Sequence, residues 1–345
     1  MIEDIDFIIT WVDGSDPEWI DEKSKHEFSV SSHDSSNNRY RDWGTLKYWF
    51  RSIEKNAPWV HSVYFVTWGH VPSWLNIHNP KLKIIKHSDY IPQKYLPTFS
   101  SRAIDMNFHR IHELSERFVY FNDDMFLLKE TSPNDFFLQG LPCDSAVLES
   151  ACISIANKKG RSVPVEKLYL SHIVDAGIIN KYFSKHHVIR NNLFGWFNYK
   201  YGKSVFKNLI LFPWKFFSSF EQTHLPYSYL KSTYSEVWEK EELYMDAACS
   251  QKFRRNADAN HMIFSYWQIA TGRFKPRNHK IGKYLFINGE NINDTSVAEI
   301  IKRKKYKMVC INDEFEGTDD DFRNTKCLIN ESFETIFPDK CSFEL

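Results

Sequence analysis

A mixed α/β fold with a mostly parallel sheet is predicted by three features of the 345-residue sequence. Short apolar runs that read as buried strands alternate with segments of helical periodicity, the layout of a βαβ chain. The strand-like runs stop at turn-forming acidic clusters, first at Asp13-Gly14 and later at Asn122-Asp123-Asp124. Those clusters stand where open α/β sheets bind ligands, beyond the carboxyl ends of their strands.

In chain order, residues 6–12 form the first apolar run and read as a buried strand. Residues 31–38, rich in Ser and Asn, read as a loop. Leu46, Trp49, Phe50 and Ile53 recur at i, i+3, i+4 and i+7, which predicts an amphipathic helix ended before Pro58. Residues 63–67 and 83–87 read as the second and third strands. Ile104, Phe108, Ile111 and Leu114 predict another helix, and residues 118–121 a fourth strand. Beyond about residue 140 the pattern turns helical and aromatic, with helices expected over 236–248 and 260–271. Residues 308–313 predict a strand ending in Asn312-Asp313, followed by a helix over 325–336 that stops before Pro338. The expected organisation is an α/β core over 1–140, a mainly helical region over 141–300, and a tail over 301–345 that returns to the core sheet.

Bulk properties narrow the function. Hydrophobic residues at 42% and charged residues at 26% are a globular composition. Lys plus Arg and Asp plus Glu both number 44, so no general affinity for nucleic acid is implied. Residues 301–307 are one local basic candidate. The six cysteines, at 143, 152, 249, 310, 327 and 341, include no C-x-x-C pair and are too sparse for a disulfide scaffold. They read as reduced thiols in a cytoplasmic protein. The acidic start Met1-Ile2-Glu3-Asp4 does not read as a signal peptide. No stretch of about 18 apolar residues occurs. The most apolar long region, 193–220, is interrupted by Lys, Asn, Gly and Pro; it cannot span a membrane, but its aromatics and lysines can touch one.

The best single clue to chemistry is Asn122-Asp123-Asp124. Adjacent carboxylates repel unless a cation or a proton joins them, and Mg²⁺ takes one or two carboxylates together with substrate phosphate oxygens. The same tripeptide also makes an ordinary solvated turn. Asp13-Gly14-Ser15-Asp16-Pro17 carries the same two readings, a turn or a nucleotide-holding loop whose N–H groups face phosphate. Arg39, Arg41 and Arg51 flank the first helix, and Arg254-Arg255 lie further on. Arginine is the usual bidentate partner of phosphate, though most arginines merely solvate a surface. His224 titrates in the range of a general base, though a lone histidine is more often structural.

These pieces follow a recognisable order. Residues 5–17 resemble the first signature block of the Stealth family of sugar-1-phosphate transferases. A second block resembles Arg39-Tyr40-Arg41-Asp42, Leu46-Lys47-Tyr48, residues 51–60, Val66-Thr67-Trp68-Gly69, residues 72–76 and 96–101, and Tyr120 to Asp124. A third resembles His224-Leu225-Pro226-Tyr227 through Phe253-Arg254-Arg255 to residues 264–267, and a fourth residues 310–313, 333–338 and 342–345. The family includes bacterial capsule and exopolysaccharide phosphotransferases and the animal enzyme that tags lysosomal glycoproteins with N-acetylglucosamine-1-phosphate. Two departures stand out: Arg254-Arg255 where one arginine is expected, and one extra residue between Asp258 and Phe264. No extended spacer is present, as in a minimal bacterial form.

The resemblance implies a nucleotide-sugar-transferase-like fold of the GT-A or Rossmann type. It implies transfer of sugar-1-phosphate from a nucleotide sugar, by default UDP-N-acetylglucosamine, to a hydroxyl of a glycan or lipid-linked glycan, with nucleoside monophosphate leaving. By the same resemblance Asp123 and Asp124 hold Mg²⁺ or Mn²⁺ with Asn312 and Asp313, Asp124 acting in catalysis. Arg254 or Arg255 clamps phosphate, and His224 takes the acceptor proton. Asp13, Gly14, Asp16, Arg39, Arg41, Asp42, Arg51, Thr98, Ser100, Ser101, His109 and Asn122 contact substrate. A cytoplasmic enzyme at the inner face of the membrane, with no nucleic-acid partner, is expected. The alternatives are a metal-dependent glycosyltransferase that releases nucleoside diphosphate and a non-catalytic carbohydrate-binding protein.

Overall fold

The first apolar run becomes β1 (Ile5–Thr10), whose first five residues are buried, as a strand covered on both faces must be. The structure is a computed structural model describing residues 4–27, 40–150, 170–255, 258–315 and 317–345. The loop expected over 31–38 therefore lies outside the described residues. α1 (Pro17–His26) starts at Asp16, whose Oδ1 accepts from Trp19 N at 2.8 Å, with Pro17 pre-set for the first turn. α2 (Leu46–Asn56) buries the four periodic apolar residues and stops at Ala57, ahead of Pro58. Then come β2 (Val63–Thr67), β3 (Leu82–Lys86), α3 (His87–Tyr90), α4 (Ser101–Asp105), β4 (Arg117–Phe121), β5 (Met125–Leu127), β6 (Phe137–Leu138) and β7 (Leu141–Asp144). The middle region supplies α5 (Ser171–Tyr182), α6 (Lys185–Asn191), α7 (Leu193–Trp196), α8 (Val205–Leu211), β8 (Tyr227–Leu230), α9 (Lys231–Lys240), α10 (Glu242–Cys249) and α11 (Met262–Ala270). β9 (Lys275–Pro276), β10 (Gly282–Ile287), α12 (Asn291–Lys302), β11 (Met308–Asp313) and α13 (Asp319–Ile336) close the described chain.

The main sheet has the order β3-β2-β1-β4-β8. Its first four strands are parallel, with Phe7 paired to Val63 on one side and Val119 on the other, and β8 runs antiparallel along β4. This is the predicted mixed α/β class with a mostly parallel sheet. A second sheet, β10-β11-β5, pairs β10 and β11 in parallel and β11 with β5 antiparallel. A third joins β6, β7 and β9.

Four expectations need correction. The helix drawn through Ile104, Phe108, Ile111 and Leu114 is instead α4 followed by a 3₁₀ turn at Phe108–Arg110. Buried Asn107 ends α4, because its Nδ2 donates to Ala103 O at 2.7 Å and takes up the carbonyl that a continuing helix would use. The helix expected over 236–248 is two helices, broken at Glu241 (φ −126°, ψ 35°), whose carboxylate pairs with Lys181 at 2.6 Å. The tail strand β11 does meet the N-terminal core, but through β5 in the second sheet and not in the main one. The final helix begins earlier than expected, at Asp319, where Thr318 and Asp321 cap each other reciprocally.

α13 packs on the core through Phe333, which lies between Tyr48 (centroids 5.6 Å apart) and Phe126 (4.5 Å). Arg51 fastens this layer. Its guanidinium is only 7% exposed; Nε donates to Glu344 Oε1 at 2.7 Å, one terminal nitrogen to Oε2 at 2.9 Å, and the other to Phe337 O at 2.8 Å. Burial alone would raise the Glu344 carboxyl, but Arg51 holds it below the ordinary range. Arg51→Ala leaves a buried carboxylate unpaired and is expected to cost about 3–5 kcal/mol. It would be read as a lower urea midpoint at unchanged slope. The double variant Arg51→Met, Glu344→Leu is expected to recover most of that loss; equal destabilisation of single and double variants would refute the account.

Candidate functional site

In the main sheet, β2 and β3 follow β1 on one side and β4 lies on the other, so the strand order reverses between β1 and β4. A crevice opens beyond the carboxyl ends at such a point. A cavity of ≈ 620 Å³ occupies it. Its floor is the turn after β4: Met125 N donates to Asn122 O at 3.1 Å, and Ile311 N to Asp124 O at 2.9 Å. The second bond pins the end of β11 beside the turn, so Asn122, Asp123, Asp124, Asn312 and Asp313 line one wall together, with Arg41 and Asp42.

The two aspartates are electrostatically unlike ordinary surface carboxylates. Asp123 is solvent-exposed where it opens onto the cavity, with protein packed behind it. That packing, the neighbouring Asp124 and then Asp42 push its pKa up to about 7. Burial raises Asp124 to about 6, against a thiol hydrogen bond from Cys310 at 3.3 Å to Oδ2. Asp124 Oδ1 is buried without a partner, a costly arrangement for an acceptor.

That orphaned oxygen, with Asp123 beside it, fits a hard divalent cation whose other ligands come from substrate and water. Among the described residues no group of three His, Cys, Asp or Glu could hold a metal ion by itself. Asp313 is already engaged. Its Oδ2 accepts from Trp43 Nε1 at 2.9 Å and lies 3.6 Å from Arg41, and its Oδ1 accepts from Phe315 N at 2.9 Å. The Asn312 side chain leans toward Glu314, at 3.5 Å. Asp123 and Asp124 are therefore the residues best placed to hold a cation, and Asp313 shapes the wall behind them.

The rest of the lining is rich in cations and imidazoles. Arg254, Arg102, His172, His224 and His261 all line the cavity. His224 adopts a positive φ of 45°, a conformation that costs a non-glycine residue about 1–3 kcal/mol. Its ring stacks on Tyr284 at 4.6 Å. Burial lowers its pKa, so it is neutral and able to accept a proton at pH 7. Burial likewise drives His172 to about 4 and His261 to about 3, and Tyr229 O–H lies 2.8 Å from His261 Nδ1. Beneath them Asp105, buried and hydrogen-bonded to Tyr120 O–H at 2.8 Å, is raised to about 7.

Sequence reasoning missed Arg102, Asp105, His172 and His261. Arg102 directly follows the Ser100-Ser101 pair that was singled out, so its place in that block was the available signal. His172 arrives on α5 and His261 in the turn before α11, and nothing local marks them.

Other expected residues fall elsewhere. Thr98 and Ser101 line the cavity; Ser100 is buried behind it. Arg255 turns away, bound to Asp258 by Nε at 3.0 Å and a terminal nitrogen at 2.9 Å. Arg51 is the structural clamp described above, not a substrate contact. His109 packs against Trp238 (5.7 Å) and Tyr234 (6.1 Å), is held neutral with a pKa of about 3 by burial, and does not line the cavity.

Asp13 lines a smaller adjoining pocket of ≈ 320 Å³ that shares Trp11, Asp42 and Leu46 with the main one. Its Oδ1 accepts from Ser15 N (2.9 Å) and Ser15 Oγ (2.6 Å), and Asp16 caps α1. Gly14 is required for packing: a Cβ there would sit 2.2 Å from Tyr40 O. Arg39 lies outside the described residues. The five described cysteines are all free thiols; Cys152 is not among them.

Family models for the Stealth protein match three stretches of the chain: conserved region 1 over residues 3–29, region 2 over 39–143 and region 4 over 299–345. The chain is 41% identical to the capsular polysaccharide phosphotransferase WcwK of Streptococcus pneumoniae, over 99% of this chain and 98% of that one. It is 37% identical to the exopolysaccharide phosphotransferase cps2G of Lactiplantibacillus plantarum, over 99% and 96%. Among solved structures, the apo WbbM bifunctional glycosyltransferase aligns at 10% identity with a TM-score of 0.35, covering 97% of this chain and 52% of that one. Nothing further rests on that distant likeness.

Proposed function

The chain belongs to the Stealth family of bacterial phosphotransferases, and from that premise we propose that it moves sugar-1-phosphate from a nucleotide sugar to a glycan hydroxyl in capsule or exopolysaccharide synthesis. The observation that carries this reading is the gathering of carboxylates, a guanidinium and an imidazole around one cavity. Asp123 and Asp124 line it, with a buried carboxylate oxygen lacking a partner, and so do Arg254 and a neutral His224. A diphosphate bridging a sugar and a nucleoside needs both a cation site and a guanidinium, and its acceptor needs a base.

In this mechanism Asp123 and Asp124 hold Mg²⁺ or Mn²⁺, which supplies charge neutralisation to the diphosphate. Arg254 grips the oxygens of the transferred phosphoryl group. His224 takes the proton of the acceptor hydroxyl as its oxygen bonds to the phosphorus nearest the donor sugar. The bond from that phosphorus to the nucleoside phosphate oxygen breaks, and the nucleoside monophosphate leaves with the electron pair. A phosphodiester remains. The donor is a UDP-N-acetylhexosamine or UDP-hexose, and the acceptor a growing or lipid-linked glycan. Peripheral attachment at the inner membrane face belongs to the same proposal; among the described residues no helix is long and apolar enough to cross a membrane.

The deciding experiment offers a panel of nucleotide sugars with glycan acceptors and Mg²⁺ and identifies the products by mass. Nucleoside monophosphate in step with a phosphodiester product is expected. Nucleoside diphosphate with a plain glycoside would overturn the proposal.

A further inference from the structure

Between His172 and His224, both on the cavity wall, the chain builds a surface that a protein in water alone has no reason to keep. α8 is turned inside out. Its polar Asn208 is fully buried, donating to Ala146 O at 2.8 Å and Trp196 O at 2.6 Å and accepting from Leu148 N at 2.7 Å. Its Phe206, Leu209 and Ile210, spaced i, i+3 and i+4, face outward with 59%, 54% and 75% of their surface exposed. Phe194 (89%), Tyr199 (86%) and Trp214 (62%) protrude from the same stretch. Single exposed apolar residues need no explanation, but six within residues 194–214 do.

The charge of this segment is as one-sided as its hydrophobicity. Residues 176–220 contain six Lys and one Arg and neither Asp nor Glu, in a chain whose totals are 44 and 44. Glu149 and Glu221, from outside the segment, pair with Lys207, and Glu241 with Lys181. Arg190, Lys203 and Lys215 stand exposed outside those pairs.

We propose that this face, centred on α7 and α8, docks the protein on an anionic lipid surface. The aromatic and aliphatic tips enter the headgroup boundary, and the cations meet lipid phosphates. A second copy of the chain is the poorer occupant, because two-fold pairing would bring like-charged patches face to face. A neutral apolar partner would leave the absence of acidic residues without a purpose. Docking here also suits the site: α5 leaves the cavity at Ser171 and His172, and the chain returns to it at His224, so the walls that would receive a lipid-linked acceptor flank the docked segment.

The test is co-sedimentation of the full chain with vesicles, without nucleotide sugar, so that it stands apart from the donor chemistry. Vesicles of phosphatidylcholine containing one third phosphatidylglycerol are expected to bind the protein, and pure phosphatidylcholine vesicles to bind it far less. Lys203→Gln with Lys215→Gln is expected to weaken anionic-vesicle binding about thirtyfold. Phe206→Ser, Ile210→Ser and Trp214→Ser together should abolish it, with monophosphate release on a soluble acceptor unchanged. Equal binding to both vesicle types, no binding to either, or full retention by the triple variant would overturn the proposal. So would a wild-type dimer that the triple variant turns into a monomer.

Discussion

Asp124→Asn is expected to lower turnover by about 10²–10⁴-fold. The side chain keeps its shape and one acceptor oxygen, so the substitution removes charge and little else. Cation-borne stabilisation of a transferring phosphoryl group amounts to several kcal/mol, at about 1.4 kcal/mol per tenfold in rate. A second readout separates this from damage to the fold. Asp124 Oδ1 is buried with no partner, and such an oxygen is a cost to the free protein. The metal-free variant is therefore expected to melt no lower than the parent. Full turnover of Asp124→Asn in millimolar Mg²⁺ would remove the carboxylate pair from the mechanism; lost turnover with a lowered Tm would assign Asp124 to the fold instead.

How much of this was legible in the sequence depends on whether a residue's role is local. β2 and β11 fall on the expected residues, because continuous apolar runs stop at polar turn-formers. The carboxylate pair could be placed for the same reason, since it directly ends such a run. Helix boundaries fixed by distant partners could not be placed. Asn107 ends α4 with a side chain that also reaches Cys249 Sγ at 3.4 Å, across 142 positions. Arg51 was read as a phosphate partner because arginine near a helix often is one. Its true partner, Glu344, lies 293 positions away, and no local pattern announces it. The imidazole-rich wall was hidden similarly: His172, His224 and His261 come from three separate elements, and only the fold places them around one cavity.

Arg254→Ala is expected to cost about 10²–10³-fold in turnover, the usual loss when one donor to a developing oxyanion is removed. Arg254→Lys should restore only part of it, because an ammonium lacks the fork that grips two phosphate oxygens. Arg255→Ala, one residue on, should leave turnover close to the parent, while lowering stability because the buried Asp258 carboxylate loses its guanidinium partner. The reason lies in which atoms do the holding. The Arg255 side chain is 58% exposed and, among the described residues, pairs with Asp258 in its own turn. Its backbone carries the structural role: Arg255 N donates to Asp258 Oδ2 at 3.1 Å, and Arg102 donates to the carbonyls of Arg255 and Asp258. Alanine keeps all of those bonds. The turn that aims Arg254 at the cavity therefore survives loss of the Arg255 guanidinium. If Arg255→Ala proved the more damaging of the two in monophosphate release, the phosphate-gripping role would pass to Arg255, and the turn would have to reorganise when substrate binds.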